Sequence, residues 1–250
     1  MRIAVVLFSF LAATPLLAAD SACPAAWGYG ANDGPNRWGQ MNTAWARCDA
    51  GKLQSPVDIK DVTTAKLPKL TPRYGSFPLV VQNTGHDVNV PLGAGYVLFG
   101  DEKAVLDRFH FHVPSEHVVN GKRYAAEIHL VHDLPNGKAL VIGVLIEEQK
   151  DANPQLAPIV DLIPSVACTS AKATDNYDWL NALLAANVKS YFNYNGSLTT
   201  PACDEGITWI VLREPIGASH EQIEKLSLAH DPGGNARPLQ PRANRIIRAN

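Results

Sequence analysis

Two short segments constrain this chain more than any others: Phe109-His110-Phe111-His112 and Glu127-Ile128-His129-Leu130-Val131. Side chains alternate across a β-strand, so Arg108, His110 and His112 share one face and Phe109 and Phe111 take the other. In the second segment Glu127, His129 and Val131 share a face, opposite Ile128, Leu130 and His132. Between them lies Val118-Val119-Asn120-Gly121-Lys122, and Asn-Gly flanked by such runs is the strongest short-range hairpin signal. A two-residue turn there pairs 119 with 122, so the numbers of facing residues sum to 241. That register predicts His112 directly opposite His129 and His110 on the diagonal, at Cβ separations of about 5 and about 7 Å. Three imidazoles so spaced can close on one metal ion.

A lone buried histidine is usually a hydrogen-bonded core residue. Here three converge on one face, and Glu127, two positions before His129, can accept that ring's N–H, which fixes its tautomer. Three neutral nitrogens leave a fourth tetrahedral position for water, the layout of a catalytic zinc site. His110-Phe111-His112-Val113-Pro114-Ser115-Glu116 also resembles the first metal motif of cupin barrels. That alternative makes Glu116 a ligand and suits iron or manganese, but the second half of a cupin site has no match downstream.

The length, 250 residues, suits one large domain with a substantial core, and a net charge of −2 gives no reason to expect nucleic acid or an anionic membrane surface. Met1-Arg2 followed by the apolar run Ile3 to Leu17 and Ala18-Ala19 predicts a signal peptide over residues 1–19, leaving a domain over 20–250. A membrane anchor is the competing reading, and Pro15 and the short span argue against it. No later stretch reaches bilayer length, so a soluble, exported protein without a membrane anchor is expected. Cys23, Cys48, Cys168 and Cys203 form no CxxC pair; in an oxidising compartment they suggest disulfides, with three pairings open.

No linker or repeat interrupts the chain. A Gly/Trp-rich arm runs over 27–45, and strands are expected over 79–81, 87–90, 96–99, 105–113, 124–132, 139–147 and 208–212. Helices are expected over 177–186 and 219–227, the second opening on a Ser-x-x-Gln capping signature. The balance predicts a mainly β, single-domain fold built on a large mixed sheet.

Longer motifs sharpen this reading. They are Trp27-Gly28-Tyr29-Gly30, Gln54-Ser55-Pro56-Val57-Asp58-Ile59, Asn83-Thr84-Gly85-His86-Asp87-Val88-Asn89-Val90, the two histidine segments, Ser115-Glu116-His117 and Ser197-Leu198-Thr199-Thr200-Pro201. In these the chain resembles the α-class carbonic anhydrases of exported bacterial type, from Trp27 almost to the C-terminus. The resemblance implies a large twisted, mostly antiparallel central sheet with a few short peripheral helices. It implies reversible hydration of carbon dioxide to bicarbonate and a proton, with hydrolysis of activated esters as a side activity.

By that resemblance His110, His112 and His129 hold zinc, Glu127 supports His129, and the main-chain carbonyl of Asn235 orients His112. Thr199 would accept a hydrogen bond from zinc-bound hydroxide and give its own hydrogen to Glu116, since an ionised carboxylate only accepts. His86 would carry protons to solvent, its side-chain type changing charge near neutral pH, with Tyr29, Asn83 and Asn89 lining the path. Val131, Val141, Leu198, Thr200 and Trp209 would form the substrate wall. Cys48 would pair with Cys203, tethering the Thr199 loop, and Cys23 with Cys168. The bacterial resemblance favours a periplasmic location over secretion outside the cell, and leaves a homodimer open.

Two features complicate the match. A tight turn at Asn136-Gly137 would point Val141 away from Val131, so a longer loop or a bulge is required there. Arg108 stands where the family usually has Gln; Arg has only donors, so either His110 must find another acceptor or Arg108 must swing away to pair with a carboxylate such as Asp107 or Asp87. Asn195-Gly196-Ser197 is formally a glycosylation acceptor, here read as part of the site wall. A non-catalytic binding module on the same fold is the remaining alternative; the presence of all three histidines, Thr199 and Glu116 argues against it.

Overall fold

The computed structural model describes residues 27–91, 94–184, 188–230 and 233–250. The expected signal segment and Cys23 lie outside these residues, and with Cys23 so does one partner of the second expected disulfide.

The fold is mostly β. Along the chain run β1 (Asp58–Ile59), β2 (Thr63–Thr64), β3 (Leu70–Arg73), β4 (Phe77–Asn83), β5 (Val88–Pro91) and β6 (Tyr96–Phe99). Next come β7 (Glu102–His112), β8 (Val118–Val119), β9 (Lys122–Arg123), β10 (Ala126–Asp133) and β11 (Ala139–Gln149). The last are β12 (Thr169–Tyr177), β13 (Tyr191–Ser197), β14 (Glu205–Leu212), β15 (Ile216–Ser219) and β16 (Arg248–Ala249). Short helices α1 (Trp38–Met41) and α2 (Arg47–Ala50) precede β1, and α3 (Ala157–Val160), α4 (Trp179–Leu184) and α5 (His220–Ser227) lie between later strands.

One large sheet carries the order β12-β4-β5-β7-β10-β11-β14-β13-β16-β2. Most neighbours are antiparallel; β11 pairs in parallel with both β14 and β15. The central strands are buried on both faces: β11 is an unbroken apolar run from Ala139 to Ile146, whereas β10 buries Glu127, His129 and His132 among its apolar residues. One face sends Phe109, Phe111, Ile128, Leu130, Ile142, Val144 and Ile210 into the larger core, capped by Leu180, Ile223 and Leu226 of α4 and α5. The other face gathers Val131, Val141, Leu145, Tyr194, Trp209 and Val211 with Val57 and Ile59. Each such side chain removed from water contributes about 1.5–3 kcal/mol.

The expected helix at 219–227 forms with its capping box intact: Ser219 Oγ accepts from the Gln222 amide, and the Gln222 side chain accepts from the Ser219 amide. The strands β12 and β13 escape the sequence pattern. Polar, largely exposed β12 forms because the edge of β4 offers it hydrogen-bond partners, and β13 ends in turn-like Asn195-Gly196-Ser197. Pairing context decides both.

The hairpin expectation holds locally and fails as a ruler. Val119 faces Lys122 across Asn120-Gly121, as expected, but β8 and β9 join β1 in a separate small sheet. On the large sheet His129 faces His110 and Glu127 faces His112, so facing numbers sum to 239 and the diagonal partner is His112. The outgoing arm spends two more residues than the returning one between sheets, because 113–117 detours to bury Ser115, Glu116 and His117. At the next turn Val131 faces Val141, delivered by a longer loop in which Leu134 and Lys138 close the ends.

Behind the sheet, His132 is buried between the Tyr74 hydroxyl, 2.7 Å from Nε2, and the Leu140 carbonyl, 3.3 Å from Nδ1. Burial pushes its pKa down to about 4. The unfolded chain therefore takes up this proton near pH 6.5 while the folded one refuses it, and stability falls as pH drops from about 6.5 to about 4. The expected loss is about 3 kcal/mol, converting the shift at 1.36 kcal/mol per pH unit. Urea unfolding across that range should show His132→Gln losing less than the parent by this amount.

Candidate metal centre

The register of β7 and β10 makes the site. His110, His112 and His129 sit on one face with ring centroids 5.0, 5.3 and 4.5 Å apart, and one ligand atom from each lies within 4.8 Å of the others. Burial pushes all three imidazoles below their ordinary pKa, which keeps them neutral as metal ligation requires.

Their orientation is set from behind. His112 Nδ1 donates to the Asn235 carbonyl at 2.8 Å, leaving Nε2 buried with no hydrogen-bond partner. Such a nitrogen costs free energy unless something coordinates it, so the donor set fits a soft-to-borderline divalent ion. Asn235 is itself fixed: its Oδ1 accepts from the Val113 amide and its Nδ2 donates to the carbonyls of His86 and Phe111. His129 Nε2 lies 3.1 Å from Glu127 Oε1, which points its Nδ1 toward Glu116 Oε2, 3.8 Å away. His112 Nε2 is 3.6 Å from the same oxygen.

Glu127 is the hub of a buried chain. Its Oε1 accepts from His117 Nδ1 at 2.7 Å, and its Oε2 accepts from the amides of Glu116 and His117. His117 Nε2 meets the Tyr194 hydroxyl at 2.7 Å, which meets Ser55 Oγ at 2.8 Å. Burial alone would raise the Glu127 pKa, but His117 and His129 outweigh it and hold the carboxylate well below its usual range. Gly143, opposite His129 on β11, is dictated by this packing: a Cβ there would stand 2.7 Å from Glu127 Oε1. His117, Glu127 and His129 form a second cluster of ligand-type atoms. His117 Nδ1 and both Glu127 oxygens are already committed to hydrogen bonds, so the three-histidine cluster is the metal candidate. His117, Tyr194 and Ser55 carried no role in the sequence; the only signal was that His117 and Ser55 fall inside long motifs.

Thr199 sits in the connection from β13 to β14. That connection is held by the Cys48–Cys203 disulfide, which spans 155 residues of sequence as expected, and by the Cys203 amide donating to the Thr200 carbonyl. Burial pushes the Glu116 carboxyl up, while His129, the Thr199 hydroxyl and the Arg237 amide pull it back. The Arg237 amide donates to Glu116 Oε1 at 2.8 Å, and its buried guanidinium ties Gln54, Ser55 and Cys48 to the same corner. Leu198 packs against Val131, Val141 and Trp209, whose indole N–H donates to the Ser197 carbonyl.

Of the expected polar path, Asn89 faces His110 across β5 and β7. His86 stacks on Trp27 at 4.2 Å, its Nε2 2.6 Å from the Trp27 carbonyl; Tyr29 packs against the same indole. Asn83 is not brought there. It faces Val88 instead, accepts from the Gly85 amide and donates to the Pro164 carbonyl, building the turn that presents His86. Arg108 turns to Asp107, one of the two carboxylates anticipated for it.

A family model for eukaryotic-type carbonic anhydrase matches residues 33–250. The chain belongs to that family. A carbonic anhydrase from Klebsiella pneumoniae is 37% identical over 226 residues, covering 88% of this chain and 89% of that protein. One from Neisseria gonorrhoeae is 36% identical over 239 residues, covering 95% and 93%. The α-carbonic anhydrase of Thermovibrio ammonificans, solved with the inhibitor sulfanilamide, superposes with TM-score 0.84 at 40% identity over 90% of this chain and 99% of that one. The protein is thus an enzyme of the carbonic anhydrase class, with carbon dioxide and bicarbonate as its small-molecule substrates. The cupin alternative falls: the sheet is open and the chain belongs to the carbonic anhydrase family.

Proposed function

We propose that this carbonic anhydrase works through zinc held by His110, His112 and His129, with Thr199 and Glu116 aligning the attack and His86 carrying the proton away. The observation that carries the reading is the buried His112 Nε2, without a hydrogen-bond partner, turned toward the same corner as His129 Nδ1. When bound, the zinc supplies Lewis acidity that brings the pKa of a water near neutrality, a property for which carbonic anhydrase is itself the reference case.

The side chains do the rest. Asn235 and Glu127 fix the tautomers of His112 and His129. Glu116 takes the Thr199 hydrogen, leaving that hydroxyl only lone pairs with which to aim the nucleophilic oxygen. Val131, Val141, Leu198 and Trp209 offer carbon dioxide an apolar surface that asks for no hydrogen bond, with Thr200 at its edge. Hydration forms one C–O bond and releases one proton, which His86 accepts and returns to solvent past Tyr29 and Asn89. Activated esters suit the same nucleophile. The apolar 1–19 segment supports export, to a periplasm in the bacterial setting of the relatives. Among the described residues no helix is long and apolar enough to cross a membrane.

Metal content and carbon dioxide hydration measured together test this. One zinc per chain is expected, with activity lost on dialysis against a chelator and restored by zinc alone. Full activity in protein stripped of metal would overturn it.

A further inference from the structure

The three ligand candidates are not equally held. His112 is braced by the Asn235 carbonyl and His129 lies against the Glu127 carboxylate. His110 lacks such a brace: among the described residues its Nδ1 is buried with no hydrogen-bond partner. With Nε2 as the ligating nitrogen, Nδ1 has no acceptor among the described residues. The residue placed to supply one is two positions back on the same face of β7, and it is Arg108, whose guanidinium carries donors only. Arg108 lies half-exposed and ion-paired to Asp107. The opposite neighbour, Asn89, donates its Nδ2 to Gln82 Oε1 at 2.8 Å and makes no hydrogen bond to His110 Nδ1.

We propose that Arg108 is a positioning residue that sets a lowered zinc affinity in this enzyme, by leaving His110 without the acceptor that would fix its tautomer and ring angle. The inference rests on the zinc reading above. An acceptor behind a ligating histidine typically changes metal affinity about 10–100-fold, and the unpaired ring nitrogen adds its own desolvation penalty. Arg108 also brings a cation toward the site, so charge and missing acceptor must be separated.

Two variants do so. Arg108→Gln supplies a carbonyl and removes the charge; Arg108→Met removes the charge alone. Zinc affinity by chelator competition, and zinc release followed with a chromogenic chelator, should show Gln binding at least ~10-fold tighter than Met and releasing zinc correspondingly more slowly. Nitrogen-15 spectra of the zinc-loaded proteins should show one more exchange-protected imidazole N–H in Gln than in Met or the parent. Equal affinities for Gln and Met, or no added N–H signal, overturn the proposal. Should His112→Ala bind zinc as tightly as the parent, it is the zinc reading itself that fails, and the two failures are thus distinct. Far-UV circular dichroism and melting curves confirm that each variant is folded.

Discussion

Replacing Thr199 with alanine is expected to lower kcat/KM for carbon dioxide hydration by about 100-fold or more, the usual scale for losing one preorganised hydrogen-bonding group at a reacting centre. Zinc content should not change, because Thr199 is not a ligand candidate and approaches the site through Glu116. Glu116 has its Oε1 bound by the Arg237 amide, and as a carboxylate it can only accept. The threonine converts that acceptor into a directed lone pair. Thr199→Ser keeps the hydroxyl and should retain most activity, whereas Thr199→Val keeps the shape and should behave like alanine. Stopped-flow hydration with parallel zinc determination makes the test. A valine variant within three-fold of the parent would remove Thr199 from the mechanism.

The second large effect is on stability. His117→Phe should lower the free energy of unfolding by about 3 kcal/mol, the scale for leaving a buried carboxylate short of one hydrogen-bond partner. Glu127 would lose its 2.7 Å partner while remaining fully buried and close to His129. Tyr194→Phe touches the same chain one step further out, away from the carboxylate. It should cost about 1–3 kcal/mol, the price of one unsatisfied buried polar atom. Because Glu127 also faces His129, zinc affinity should fall about 10–100-fold in the His117 variant. Urea unfolding of all three proteins checks the gradient; equal stabilities for the parent and His117→Phe would show that the chain contributes nothing.

The site was legible where a repeating pattern forces geometry. Alternation along β7 and β10 put His110, His112, Glu127, His129 and Val131 on one face whatever the register, since a shift of two residues preserves the face. That is why the wrong register still led to the right trio. The error came from treating Asn120-Gly121 as the hinge of the whole hairpin. The detour that defeats it exists to bury Glu116 and His117 against Glu127, a long-range arrangement with no local signature. Asn83 was misplaced for a related reason: neighbouring positions in a turn point to opposite sides, and only pairing with Val88 fixes which.

The sequence by itself determined the class of fold, the face that carries the histidines, the capped helix at His220–Ser227 and the chemistry that three neutral imidazoles beside a carboxylate can support. Each follows from short-range periodicity or from donor and acceptor inventory. Only the tertiary structure decided which residues stand behind the ligands: Asn235 behind His112, the His117–Tyr194–Ser55 chain behind Glu127, and, among the described residues, no hydrogen-bond partner for His110 Nδ1. Those partners come from strands and loops far apart in the chain. Their meeting depends on how the sheet pairs and where its loops cross, which no local pattern encodes.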